Sequence, residues 1–156
     1  MEVQLVRATV ENAEHIWKIQ IEAFLPLLNK YQDYKTNPAS EPADKVKGRL
    51  EQSNTYYYYI KADEEIVGAI RVIDDMNTNS RKRISPICVL PKFQNQGIAQ
   101  KASIKAKEIH GATNWELDTI LQEKGNCHLY EKMGYHQTGE TKVINERMTL
   151  VFYQKD

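Results

Sequence analysis

The stretch VLPKFQNQGIAQKA, residues 89 to 102, constrains this chain more than any other. It leaves an apolar strand, breaks at Pro91 and crosses a polar segment carrying Gly97. It then becomes an alanine-rich run in which Ile98, Ala102, Ala106 and Ile109 recur at helical spacing. Small alanines let such a helix lie close against a sheet, so the stretch predicts a strand, a tight turn and a helix packed back on its own sheet. A helix begins with N–H groups that have no intrahelical partner and with partial positive charge, which stabilises anionic oxygens. Gln94, Asn95 and Gln96 are neutral and Gly97 has no Cβ, so the amides at this start are left free for a ligand such as a phosphate.

Charge adds to this signal without deciding it. Residues 80 to 107 hold Arg81, Lys82, Arg83, Lys92, Lys101, Lys105 and Lys107 and no acid, although the whole chain balances 21 basic against 21 acidic residues. A polyphosphate or nucleotide-containing ligand and a solvated basic helix face both account for the cluster. The turn lacks the Gly-Lys-Ser/Thr ending of a P-loop and the three glycines of a dinucleotide fingerprint. The zero net charge speaks against a dedicated nucleic-acid binder.

The remaining pattern predicts one unit over residues 1–156. Val3, Leu5 and Arg7 alternate as a first strand. Thr9 caps a helix with Ile16, Ile19 and Ala23 on its apolar face, ending near Leu25 because Pro26 follows. Residues 29 to 42 read as a long loop leading to a short helix at 43 to 52. Residues 55 to 62 and 65 to 74 are β-branched and aromatic, an antiparallel hairpin in which the tyrosines at 56 to 59 alternate between core and opposite surface. Pro86 interrupts the strand at 81 to 89 and calls for a bulge. A strand at 114 to 120, a helix at 126 to 133 and a last strand or hairpin within 141 to 153 complete an α/β (α+β) sandwich, mostly antiparallel at first, with a crossover at 84 to 120.

Cys88 and Cys127 lack metal-ligand spacing and read as reduced thiols. The N-terminal MEVQLVRATVENAEH lacks a basic stretch followed by an apolar block, and no run approaches the roughly 18 apolar residues of a membrane span. A cytoplasmic location without membrane attachment is the expectation.

ICVLPKFQNQGIA (87 to 99) resembles the acetyl-CoA segment of the GNAT-type N-acetyltransferase superfamily: an apolar strand, a Val-x-Pro exit, an aromatic, then Gln/Arg-x-x-Gly-x-Gly/Ala on Gln94, Gly97 and Ala99. NCHLYEKMGY (126 to 135) is similar to the family's later segment, with Asn126, Tyr130, Gly134 and Tyr135 matching. The resemblance implies a GNAT-like acyl-CoA N-acyltransferase fold: a mixed sheet of about six to seven strands, about four helices, and strands splayed at a β-bulge. It implies acetyl-CoA as cosubstrate, with no metal. The pantetheine arm would pair along Ile87, Cys88 and Val89, and the Val89 amide would polarise the acetyl carbonyl. The amides of Gln94, Asn95, Gln96, Gly97, Ile98 and Ala99 would hold the pyrophosphate, with Lys92 and Lys101 near by sequence alone. Tyr130 would be the general acid for the departing thiolate, and Asn126 would bond pantetheine or cap its helix.

The implied chemistry is direct attack of a neutral primary amine on acetyl-CoA in a ternary complex. The base is fixed by no motif: Asp118, Glu22 and Glu123 are the available carboxylates. Cys88 reads as a small buried apolar residue and not as an acetyl carrier; His110 reads as a helix-end cation and His128 as a surface residue. Acceptor identity should reside in residues 22 to 42, where Tyr31, Asp33, Tyr34, Asn37 and Glu41 suit a small cationic amine; the same aromatic loop would equally serve a homodimer contact. Two functions stand: an N-acetyltransferase acting on a small-molecule or peptide amine, and a non-catalytic acetyl-CoA-binding regulatory module.

Overall fold

The computed structural model describes residues 1–76 and 79–156. The described residues form seven strands: β1 (Val3–Arg7), β2 (Thr55–Ala62), β3 (Glu65–Ile73), β4 (Lys82–Val89), β5 (Trp115–Ile120), β6 (His136–Asn145) and β7 (Met148–Lys155). They form one sheet in the order β1-β2-β3-β4-β5-β7-β6. Neighbours pair antiparallel except β4 and β5, which are parallel because α3 (Ile98–His110) carries the chain across between them. Helices α1 (Ala13–Tyr31) and α2 (Ala43–Leu50) contribute Ile16, Ile19 and Val46 to the core on one face. On the other face α3 and α4 (Lys124–Lys132) contribute Ile98, Ala102, Ala106 and Cys127.

This sandwich changes the fate of the tyrosine run. The side chains do alternate, Tyr57 and Tyr59 towards α1 and Tyr58 towards α3, but both faces are covered. Tyr57, Tyr58 and Tyr59 are therefore all buried, and none of the three lines an open surface as the alternation alone predicts.

Helix α1 does not end near Leu25. It runs through Pro26 to Tyr31 and closes at Gln32, which is left-handed at φ 56° and donates to the Leu28 carbonyl. A proline inside a helix costs about 3 kcal/mol. Leu28 and Tyr31, buried in the turn beyond it, recover about 1.5–3 kcal/mol each. Packing therefore outweighs the proline, and the acceptor-side loop begins only after Tyr31.

The sheet opens where β4 leaves β5. Only Lys82–Trp115 and Arg83–Glu116 pair between these strands, and beyond Arg83 they diverge. On its other edge β4 stays with β3, but the register shifts between Ile70 and Val72. Opposite this shift Pro86 has no N–H for a ladder bond, and the Arg71 Nε–H donates to the Ser85 carbonyl. The bulge that Pro86 predicts is thus built, and it carries β4 past the opening.

Gly68 holds the two strands at this point. A Cβ there would lie 2.1 Å from the Cys88 carbonyl oxygen, so β3 and β4 approach each other only because position 68 has no side chain. Gly68→Ala is expected to cost about 1–3 kcal/mol by forcing the strands apart. Urea unfolding measures this; an unchanged midpoint would mean that Cys88 and Val89 shift freely.

Candidate active site

The first intrahelical bond of α3 runs from the Lys101 N–H to the Gly97 carbonyl, which leaves the N–H groups of Ile98, Ala99 and Gln100 without a helical partner. No side chain caps them and the first turn contains no acid. Asn95 (φ 63°) and Gly97 (φ 78°) are both left-handed, a backbone course that gathers N–H groups into an anion-binding concavity. Gln94, Asn95, Gly97, Ile98, Ala99 and Gln100 line a cleft of about 730 Å³. Gln96 is not among its lining residues. Gln100 is, and the sequence reading missed it; its signal is the helix start itself, since residue 100 carries one of the unpartnered N–H groups.

The cleft continues into the gap between β4 and β5, where Ile87, Cys88 and Val89 form its wall. The Leu90 N–H bonds to Val67 in β3. Backbone groups of successive strand residues point to opposite edges, so Val89 directs its N–H and C=O towards the gap. Its carbonyl accepts from Gln94 Nε2 at 2.9 Å, which leaves the N–H as the polar group offered there. Gln94 thus acts through its side chain as well as its position, tying the turn to the end of β4.

Tyr130 stands across the gap on α4. Its ring packs edge-on against Tyr135 at 5.8 Å, and its hydroxyl makes no hydrogen bond among the described residues. Burial, with the Asp118 carboxylate and Cys127 nearby, pushes its pKa up to about 12, so the hydroxyl holds its proton at neutral pH. Asn126 lines the same cleft; it lies within α4, whose N-cap is Glu123, so the structure does not give Asn126 the capping role. Burial also pushes the Cys88 thiol up to about 12, against a hydrogen bond from Ala69, which keeps it an unreactive thiol.

A second cavity of about 330 Å³ opens on the other side of the gap. Phe24, Leu27, Ile87, Asn126 and Tyr130 line both spaces, so the two adjoin along these residues, Tyr130 among them. The predicted carboxylates separate here. Asp118 lines the second cavity, paired with Arg83 at 2.8 Å. Glu22 is on the exposed side of α1 and lines neither space, because α1 turns Ala23, Phe24 and Leu27 inward instead. Glu123 lines the first cleft, where Lys30 (2.8 Å) and the Tyr31 hydroxyl bond to it. Against partial burial, those two partners hold its carboxyl below the ordinary value.

Of the acceptor-loop residues, Asp33 and Asn37 line the second cavity. Tyr31 closes α1, Tyr34 is exposed, and Glu41 pairs with Arg49 and Lys45 away from both spaces. The basic cluster of residues 80 to 107 is not assembled into a phosphate site. Arg81 pairs with Asp156, Arg83 with Glu116 and Asp118, and Lys105 with Glu108. Lys101 reaches the Met1 carbonyl, and Lys92 lies over Phe93. Lys107 is buried between the rings of Trp115 and Tyr135, and burial lowers its pKa to about 8. His110 is likewise no free helix-end cation: it bridges Asp74 and the Tyr58 hydroxyl at 2.8 Å each.

An uncapped helix start, a splayed parallel strand pair and a cleft between them are the features that the resemblance to acyl-CoA-dependent acyltransferases implies. The family model described as acetyltransferase (GNAT) domain matches residues 28–156, and the chain belongs to that family. Acetyl-CoA is its acyl donor, and the site's chemistry is acyl transfer. No curated protein matches the chain in sequence. Among solved structures, the chain is similar to the PaiA N-acetyltransferase of Thermoplasma acidophilum in complex with coenzyme A, at 14% identity and TM-score 0.72 over 100% of both chains. It is similar to the spermidine N-acetyltransferase of Vibrio cholerae in complex with CoA and spermine, at 15% identity and TM-score 0.75 over 97% of this chain and 93% of that one. It is similar also to an acetyltransferase of Thermus thermophilus, at 13% identity and TM-score 0.71 over 98% and 96%. These likenesses establish the fold.

Proposed function

We propose that residues 1–156 act as one N-acetyltransferase domain that moves the acetyl group of acetyl-CoA directly to a primary amine held in the second cavity. The observation that carries this reading is the meeting of the two cavities at Tyr130, with Val89 directing its N–H into the same gap. A non-catalytic acetyl-CoA-binding module needs no acceptor space, and here about 330 Å³ lies open to the reacting end of the cleft.

The diphosphate of acetyl-CoA binds the N–H groups of Asn95, Gly97, Ile98, Ala99 and Gln100, the Gln94 N–H being taken by the Pro91 carbonyl, and the pantetheine arm follows the open edge of β4. The Val89 N–H donates to the acetyl oxygen, where negative charge develops as the amine nitrogen attacks the carbonyl carbon. The C–S bond then breaks to leave an amide and a thiolate, and the Tyr130 hydroxyl donates to the sulfur. The proton lost by the attacking nitrogen balances the one gained by sulfur. Asp118 receives it in this reading, which its position on the wall of the acceptor cavity and its pairing with Arg83 support. An unreactive Cys88 supports direct transfer over an acetyl-cysteine route.

No helix among the described residues is long and apolar enough to cross a membrane; we place the reaction in the cytoplasm. The test is release of CoA thiol from acetyl-CoA in the presence of a panel of primary amines. Acceptor-dependent release is expected, and a broad panel without it would leave only the binding-module reading.

A further inference from the structure

Burial of a charge demands a partner, and four carboxylates in or near the protein interior have a basic side chain as theirs. Asp74 meets His110 at 2.8 Å, Asp118 meets Arg83 at 2.8 Å, Glu41 meets Arg49, and Glu123 meets Lys30 at 2.8 Å. Asp33 departs from this pattern. It is only 3% exposed, yet among the described residues no lysine, arginine or histidine pairs with it. Its carboxylate accepts from the Thr36 N–H at 3.0 Å and from the Thr36 hydroxyl, both neutral donors. A carboxylate has about four acceptor sites, so two remain after the Thr36 bonds, and Asp33 lines the second cavity.

That cavity has no cationic side chain among its described lining residues, while Asp33 and Asp118 give it two carboxylates. Its walls are otherwise largely apolar, with Phe24, Leu27, Pro86, Met148 and Leu150. Asp118 borders it close enough to Tyr130 to act on that hydroxyl electrostatically, whereas Asp33 belongs to the segment after α1 and lines this cavity alone. The nitrogen that attacks the thioester must be neutral, so it cannot be the cation that Asp33 lacks.

We propose that Asp33 is a specificity-determining anchor for a second cationic group on the acceptor, and that the acceptor is a dication with an aliphatic spacer, without a carboxylate. This rests on the acetyl-transfer reading above. One amine, deprotonated, reaches the thioester at Tyr130; the spacer lies against the apolar walls; the far ammonium completes the charge of Asp33. An acceptor bearing a carboxylate in place of the far ammonium meets the like charge of Asp33 and is rejected.

The test compares 1,5-diaminopentane, pentylamine and 5-aminopentanoate as acceptors, with calorimetric binding of the same compounds to the CoA-loaded protein. In the wild-type protein the diamine is expected to show a kcat/KM at least tenfold above pentylamine, and 5-aminopentanoate the lowest. Asp33→Asn keeps an oxygen for the Thr36 N–H and removes the charge. It is expected to raise the diamine KM about tenfold while leaving kcat, the pentylamine KM and acetyl-CoA affinity unchanged. Equal use of diamine and monoamine by the wild-type protein, or a parallel change for both in Asp33→Asn, overturns the proposal. Should no amine be acetylated, the transfer reading fails, but binding still decides this one: diamine heat in the wild-type protein that is lost in Asp33→Asn supports the anchor, and its absence in both refutes it. Should Asp33→Asn not fold, the wild-type ranking of the three compounds decides.

Discussion

Tyr130→Phe is expected to lower kcat about a hundredfold while acetyl-CoA affinity stays as it is. The hydroxyl has no hydrogen bond among the described residues, and the ring contacts with Tyr135 and Tyr153 survive in phenylalanine, so neither the fold nor the cleft depends on the oxygen. What is lost is the donor to the sulfur as the C–S bond breaks, an effect worth 10²–10⁴-fold in general acid catalysis. Steady-state kinetics beside direct titration of acetyl-CoA separates the two quantities. A matched loss in kcat and in coenzyme binding would assign Tyr130 to coenzyme contact and remove it from proton transfer. The pH profile carries a second readout. Burial raises the Tyr130 pKa to about 12, so the tyrosine stays protonated through the assay range and adds no alkaline limb below that value. The limb expected is the acidic one, set by deprotonation of the acceptor amine, and it should persist in Tyr130→Phe.

The second large effect is predicted at Gly97, and it falls on binding instead of turnover. The residue has φ 78°, where a β-branched side chain is strained by roughly 1–3 kcal/mol. A Cβ at this position meets nothing within 4 Å, so a larger residue is excluded by backbone conformation and not by contact. Gly97→Val should therefore move the turn that presents the first N–H groups of α3 and weaken acetyl-CoA binding about tenfold, as 1.4 kcal/mol of lost interaction requires. Gly97→Asn, which tolerates the left-handed region, should lose much less. Calorimetric titration of acetyl-CoA into the three proteins checks the order. Equal affinity for valine and glycine would show that the cradle does not depend on this turn.

Much of the coenzyme half was legible before any coordinates. The helix start at Gly97 is a local property: neutral Gln94 and Gln96, a glycine and an alanine-rich run act on their own neighbours in the chain. The bulge follows from Pro86, which lacks the donor a ladder needs wherever the strand is placed. The acceptor half was less legible. Glu22 and Asp118 are equivalent as isolated carboxylates, and only the packing of α1, which turns Ala23, Phe24 and Leu27 inward, leaves Glu22 outside. The proline misleads because its cost is local, while the burial of Leu28 and Tyr31 that outweighs it is not. The basic run from Arg81 to Lys107 misleads for a related reason, since Arg81, Arg83 and Lys101 find their partners far along the chain.

The amino-acid sequence determined the elements, their alternation and the backbone groups offered to a diphosphate, because propensity, proline chemistry and glycine conformation act over a few residues. The tertiary structure decided which charges are cancelled and which are left for a ligand. Arg83 is 35 residues from Asp118, and Lys30 is 93 from Glu123. A pairing at such separations is set by where the sheet places its strands. The same placement leaves Asp33 buried beside a cavity, without a cationic partner among the described residues.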